Sequence, residues 1–353
     1  MEFGLSQEQT LLQDSVNRLL KDTVPLDEVR AIATGDKPDA SVWQGLADLG
    51  VAGLLVPEDK GGVGLGSLDA AIVAECLGYH VAPAPFLGTA VMAPVALVGA
   101  GGQDELLGNI ASGQVRVGCA FSEAIGARAD AGVTANNNRL SGKAIYVLDA
   151  DAEHYLVATS DKHLYLLNTN DAIKTRLTTI DATRSVCQLI FDNVLAQLIS
   201  DDFDVFTKAL DLGRIMLAAD TLGAAQCMLD KSVAYAKERE QFKRPIGSFQ
   251  AVKHMCAEMA ADLEPCRSMV WYAAHAADHV EQESRLIACH TKAHLAEVGK
   301  FIAKTATEVH GGMGFTDLLG LHYWFKRIGF NRQMLGAPEL IREEAARIQG
   351  IAA

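Results

Sequence analysis

Apolar residues recur at helical spacing over residues 5–22, where Leu5, Leu11, Leu12, Val16, Leu19 and Leu20 form one stripe. Ser6 stands ahead of it as an N-cap, with Gln9 in the capping-box position. The same spacing predicts helices over 40–50, 67–80 and 88–100. Between them the turn-rich run Gly61-Gly62-Val63-Gly64-Leu65-Gly66 follows Val51–Glu58. No strand-to-helix unit of dinucleotide type surrounds these glycines and no lysine follows in P-loop position, so packing is expected of them rather than phosphate binding. The texture changes near residue 114. Segments 115–121, 132–136, 139–148, 154–159, 163–168 and 186–191 are short and β-branched or alternating. Asn136-Asn137-Asn138 and Ser160-Asp161-Lys162 separate paired runs as hairpin turns do. From Asp202 the helical period returns, predicting helices near 203–240, 248–281, 284–310 and 338–350, with Pro338 opening the last. Short connections make these antiparallel neighbours in a four-helix bundle. The pattern as a whole predicts an α+β chain: a helical domain over 1–113, a β domain over 114–200 and a helical bundle over 201–353.

Composition narrows the function. Of 353 residues 49% are apolar and 21% charged, which describes a chain with a large buried core. The formal net charge of -13 argues against nucleic acid as a partner, since a phosphate backbone requires clustered Lys and Arg. The seven cysteines are dispersed and never in a C-x-x-C spacing, so reduced core thiols of a cytoplasmic protein are expected. The first residues carry no signal-peptide pattern, and no apolar run reaches membrane-spanning length.

Candidate chemistry concentrates in the elbow from Arg239 to Gln250, which breaks two long helical patterns with a polar segment containing Pro245 and Gly247. Arg239 offers a guanidinium for phosphate, Phe242 and Phe249 offer apolar walls, and Gln241 and Gln250 offer amides. That set suits an anionic, ring-bearing ligand; a solvated helix end is the competing reading. His275/His279 and His290/His294 are two H-x-x-x-H pairs at metal-ligand spacing on neighbouring helices, against which stands a plain solvated helical hairpin. No metal site is assigned. His310 lies beside Gly311 and is either a phosphate contact or a packed loop histidine. The aromatic run His322–Phe325 reads as packing on a short helix, and Glu343-Glu344 as a solvated face.

Helices, then a β domain, then a bundle is the order found in acyl-CoA dehydrogenases, and three blocks of sequence resemble that family. Arg239, Gln241, Phe242, Ile246, Phe249 and Gln250 match its R-x-Q-F-x-x-x-I-x-x-F-Q signature. Glu308–Thr316 is similar to its Q-x-x-G-G-x-G-[FY] segment, and Leu49–Glu58 with Gly61-Gly62 resembles its first domain. The resemblance implies FAD as cofactor, an acyl-CoA thioester as substrate and an electron-transferring flavoprotein as electron acceptor. It implies abstraction of the α-proton by a glutamate and hydride transfer from the β-carbon to the flavin. It places Arg239, Gln241, Phe242, Phe249 and Gln250, with Glu308, Gly311 and Gly312, around the adenosine and pyrophosphate half of an FAD seated in a neighbouring subunit.

The chain departs from the family where the base belongs. The Y-E-G-T-like run becomes Met334-Leu335-Gly336-Ala337-Pro338, which puts Gly336 at the glutamate. The alternative L-D-L-E-R-like run is Leu210-Asp211-Leu212-Gly213-Arg214, which puts Gly213 there. The T-E-P-x-x-G-S segment is eroded to Ser122–Arg128, and K-x-W-I-T-N to Lys143–Leu148, without indole or threonine. Asp220, two helical turns beyond Gly213 and about 10 Å away, is the one substitute acid on that face; burial beside a flavin is expected to raise its pKa, and a paired structural aspartate is the alternative. Some family members are heterotetramers of two shortened chains, often linked to steroid side chains, in which one chain keeps the base. The pattern here implies the partner that lacks it. A self-sufficient homo-oligomer using Asp220 and a non-catalytic structural subunit are the two other readings.

Overall fold

The computed structural model describes residues 4–37, 39–122, 124–126 and 131–352. Helices α1 (Gln7–Thr23), α2 (Leu26–Thr34), α3 (Ala40–Asp48), α4 (Ser67–Tyr79), α5 (Ala93–Ala100) and α6 (Asp104–Ala111) form the first part. The α1 start follows its sequence: Gln9 N donates to Ser6 Oγ, and Ser6 N donates back to Gln9 Oε1. Helix α4 is buried around nearly its whole girth, because it is sandwiched between α1 and the later bundle. Phe86–Met92 ahead of α5 is a π-helical segment in which every residue is buried, and it brings Met92 to the site described below. Gly61 and Gly64 are left-handed (φ 85° and 67°), and a Cβ on Gly62 would lie 2.0 Å from Val56 O. The glycine run is therefore a tightly folded turn against Gly53–Val56, fixed by Val63 N donating to Gly53 O.

Two four-stranded sheets follow. Strands β1 (Val117–Ala120), β4 (His154–Ala158), β5 (Leu164–Asn168) and β8 (Gln197–Ser200) form one in the order β1-β4-β5-β8. Strands β2 (Gly132–Asn136), β3 (Arg139–Leu148), β7 (Val186–Leu195) and β6 (Ile173–Arg176) form the other in the order β2-β3-β7-β6. Asn136 pairs with Arg139 across the β2–β3 turn, where Asn137 and Asn138 are both left-handed (φ 49° and 59°). That is a two-residue turn whose twist matches the strands, and asparagine is the residue that tolerates it. Tyr155, Val157, Leu189 and Phe191 are among the residues that fill the core between the sheets.

The last part is built on α7 (Phe203–Glu238), α8 (Gln250–His279) and α9 (Glu281–His310). Helices α10 (Leu321–Gln333) and α11 (Pro338–Ile348) pack against α9, and α10 also against α7. At 36 residues α7 is roughly 54 Å long, and it also packs against α4 and α5, tying the first helices to the bundle. All seven cysteines are free thiols, six of them buried. No helix among the described residues is long and apolar enough to cross a membrane.

Candidate active site

The two glycines at which the resemblance leads one to expect the base lie 123 residues apart in sequence, and Leu335, the neighbour of one, packs on the other. A Cβ on Gly213 would lie 2.8 Å from Leu335 Cδ1 and 2.9 Å from Met92 Sδ. Leu335 directly precedes Gly336, and Arg214 Nε donates to Leu335 O at 3.1 Å. Leu335 itself is left-handed (φ 56°), as is Gly336 (φ 112°), whose Cβ would meet Ile341 at 3.0 Å. Both positions are without a carboxyl, and the space in front of Gly213 is filled by Leu335 and Met92.

Two hollows flank this contact. A cleft of about 600 Å³ lies between the β sheets and α10–α11, lined by Ser122, Tyr146, Ile180, Phe330 and Met334 among others. No charged side chain lines it among the described residues. Tyr146 sits in a bulge of β3 between Ala144 and Val147, with φ 55°, and lines this cleft. Of the eroded Ser122–Arg128 segment, Glu123, Ala127 and Arg128 lie outside the described residues. A second hollow of about 580 Å³ is charged, lined by Asp204, Lys208, Asp211, Asp278, Glu281 and Arg285 together with Leu212 and Ile215. Asp211 is a residue that the sequence did not single out. Burial pushes its carboxyl up to about 6, while Arg214 and Arg285 pull it down. Arg214, fully buried, donates to Asp211, Glu344 and Leu335 O, so Glu344 is an ion-pair partner inside the fold rather than a solvated face.

Asp220 corrects the expectation of a raised pKa. It is 4% exposed and accepts from Arg327 Nε and Nη2 at 3.0 and 2.7 Å and from Asn331 Nδ2 at 2.6 Å. Arg184 Nη2 stands 3.0 Å from Oδ2, the oxygen that Arg327 Nη2 also holds. Burial raises the carboxyl, but Arg327 and Arg184 more than reverse this and hold it at about 2. A carboxylate so held is a poor proton acceptor near neutrality. Its geometry is that of a structural joint between α7, α10 and the loop before β7.

The Arg239–Gln250 elbow is a small hairpin. Glu240–Gln241 pairs with Arg244–Pro245, and Phe242 and Lys243 occupy the turn with φ 52° and 63°. Arg239, Gln241 and Gln250 are exposed, and Phe242 is 86% exposed. Phe242 lies edge-on to Phe249 at 6.1 Å, and the Arg244 guanidinium stacks over Phe249 at 4.0 Å. Gln241 Nε2 donates to Glu240 O, and Gln250 lies 3.4 Å from His254. At the end of α9, Gly311 (φ 58°) and Gly312 are exposed, with open space where a Cβ would stand, and Glu308 is exposed beside them. His310 is buried and stacks on Tyr235 of α7 at 4.6 Å, and its Nδ1 lies 2.7 Å from Ala306 O. It is therefore a packed residue that ties the glycine turn to the same bundle end as the hairpin. Burial lowers its pKa.

The four histidines do not form a metal centre. His275 and His279 lie near each other, with ring centroids 4.7 Å apart, while His290 meets Gln349. Among the described residues no group of three or more His, Cys, Asp or Glu is placed to hold a metal.

Fold and motifs agree with known proteins. Residues 6–114 match the family described as acyl-CoA dehydrogenase, N-terminal domain, and residues 203–349 its C-terminal domain. Acyl-CoA dehydrogenase IpdE2 of Mycobacterium tuberculosis strain H37Rv is 32% identical over 95% of this chain and 96% of its own. IpdE2 of Mycolicibacterium smegmatis is 30% identical over 98% and 99%. The solved Tcur3481-Tcur3483 steroid ACAD (G363A variant) superposes with a TM-score of 0.89 at 28% identity, over 98% of each chain. The chain belongs to the acyl-CoA dehydrogenase family, the FAD-dependent oxidoreductases that act on a CH–CH bond.

Proposed function

We propose that this chain is the subunit without a catalytic base in a heteromeric acyl-CoA dehydrogenase, lending its hairpin to an FAD seated in a base-bearing partner. The observation that carries this reading is the meeting of Gly213 with the Leu335-Gly336 turn: both base positions are glycine and the space between is packed. FAD, when bound in the complex, accepts the hydride removed from the acyl β-carbon. This chain's residues contribute binding. Arg239 and Gln241 supply a guanidinium and an amide to the pyrophosphate, Phe242 and Phe249 flank the adenosine, and the open backbone at Gly311-Gly312 gives close approach.

The length of α7 supports sharing. Arg239 follows Gly213 by 26 residues of one continuous helix, roughly 39 Å. A grip so far from the chain's own cleft, and exposed, serves a neighbour. The uncharged cleft by Tyr146 suits a flat ring, so the residues present fit a flavin there as well; among the described residues no carboxyl lines it. For the substrate we propose an acyl-CoA with a bulky, steroid-derived chain, a reading supported by the similarity to a dehydrogenase described as a steroid ACAD. Co-expression with a base-bearing partner is the test: a yellow complex active on such a thioester is expected. A stable yellow homotetramer of this chain alone, oxidising acyl-CoA, sinks the reading.

A further inference from the structure

Lys292 is 2% exposed, on α9, and among the described residues none of its hydrogen-bond partners is a carboxylate. Its ammonium donates to Asn331 O at 2.7 Å, Arg332 O at 3.3 Å and Gly336 O at 3.5 Å. These carbonyls lie in the last turn of α10 and in the turn that follows, where helix carbonyls are left without intrahelical partners. Arg214 takes the carbonyl between them, Leu335 O. Two buried cations thus hold four carbonyls of one short segment. Within it, Leu335 keeps a left-handed backbone that a leucine adopts only under outside constraint.

The two hollows share no lining residue, and of this segment Gln333 and Met334 line the uncharged one. Leu212 lines the charged one and Met334 the uncharged one, and Leu335 seats on Gly213 between them. We infer that Lys292 is a positioning residue: with Arg214 it holds the 331–336 segment shut, so that Leu335 partitions the charged hollow from the uncharged cleft. The inference concerns this chain's own crevice and stands whether or not the FAD is shared.

The charges around Lys292 make the grip sensitive. Arg214 from α7 and Arg332 from α10 repel it. The acids nearby are engaged elsewhere: Asp211 and Glu344 with Arg214, and Glu297 and Glu339 with Arg332. Burial first, then Arg214 and Arg332, bring the ammonium down to about 7. A neutral amine has two N–H groups for three carbonyls.

The test is hydrogen exchange in Lys292→Met, compared with wild type. Exchange at Met334 and Gly336 should quicken at least tenfold while amides in the middle of α8 hold. A thiol placed by Leu335→Cys should be alkylated at least tenfold faster in that background, as located by peptide mass. A folded Lys292→Met with both rates within twofold of wild type overturns the inference. Lys292→Gln, which keeps one donor group, should fall between. If neither variant folds, the wild-type chain decides. With intrinsic chemistry divided out, protection at Met334 and Gly336 should drop from pH 6 to 9 while that of α8 stays level, and a level profile at all three overturns it.

Discussion

Replacing Asp220 by Asn removes one charge from between two buried guanidiniums and leaves the volume nearly unchanged. Arg327 and Arg184 then lose their shared counter-ion in a site where Arg327 is 1% exposed. Breaking a buried pair by deleting one partner costs about 3–5 kcal/mol. At roughly 2–4 °C per kcal/mol for a large domain, melting should fall by about 6–20 °C. The pH dependence has a definite sign. The folded carboxyl titrates at about 2, below the ordinary aspartate value of 3.8. The unfolded chain therefore binds the proton more readily, and the stabilisation is full above pH 4 and lost as pH falls through 2. A difference of roughly two pK units corresponds to about 2–3 kcal/mol. The gap between wild type and Asp220→Asn should thus narrow in acid. Differential scanning fluorimetry at pH 7 and over pH 2–5, with turnover of the purified complex, checks this. An Asp220→Asn variant that melts with wild type but turns over a thousandfold more slowly refutes the reasoning and makes Asp220 the base.

Arg239→Ala and Phe242→Ala alter exposed residues, so the chain should fold as before; FAD content of the copurified complex, read from its visible absorbance, should drop severalfold. Unchanged content in both would leave the hairpin without a role in cofactor binding. Gly213→Glu should not install a base. Its Cβ falls within 3 Å of Leu335 and Met92, and overpacking of this kind costs about 1–3 kcal/mol, so a lower melting temperature and no gain in dehydrogenation are expected. Double replacement of His275 and His279 by Ala should leave the metal content of the purified protein unchanged by elemental analysis.

Strong local signals made much of the fold legible. The Asn136–Asn138 turn and its flanking alternation gave the β2–β3 hairpin, because only a few residues tolerate two successive left-handed positions. The long helical periods gave α7, α8 and α9. The reading missed α2 and α6, nine and eight residues long, whose stripes are too short to stand out. It also missed β6, which is exposed on both faces and so shows no alternation. At the site, the family resemblance pointed to Gly213 and Gly336 separately. The contact of Gly213 with Leu335 depends on how α10 delivers its following turn to α7, a relation with no local signature. Asp220 was legible as a residue on the face of Gly213, but its partners lie 107 residues downstream and 36 upstream, so the sign of its pKa shift was not. Asp211 stood in the Leu210–Arg214 run only as a neighbour of Gly213, and Lys292 carries no motif; for Lys292 the cue was a charged residue inside an apolar helical stripe.

The Asp220 cluster bears on how this chain can be cut. It draws one residue from α7, two from α10 and the Asp181–Arg184 loop of the β region into a single ionic knot. Severing the chain near residue 200 would strand Arg184 on one fragment and the Asp220–Arg327 pair on the other. A swap of the β region between related dehydrogenases therefore has to carry matching charges at three separate places. Chimeras that respect strand boundaries but ignore this knot should aggregate, and those that transplant it entire should fold.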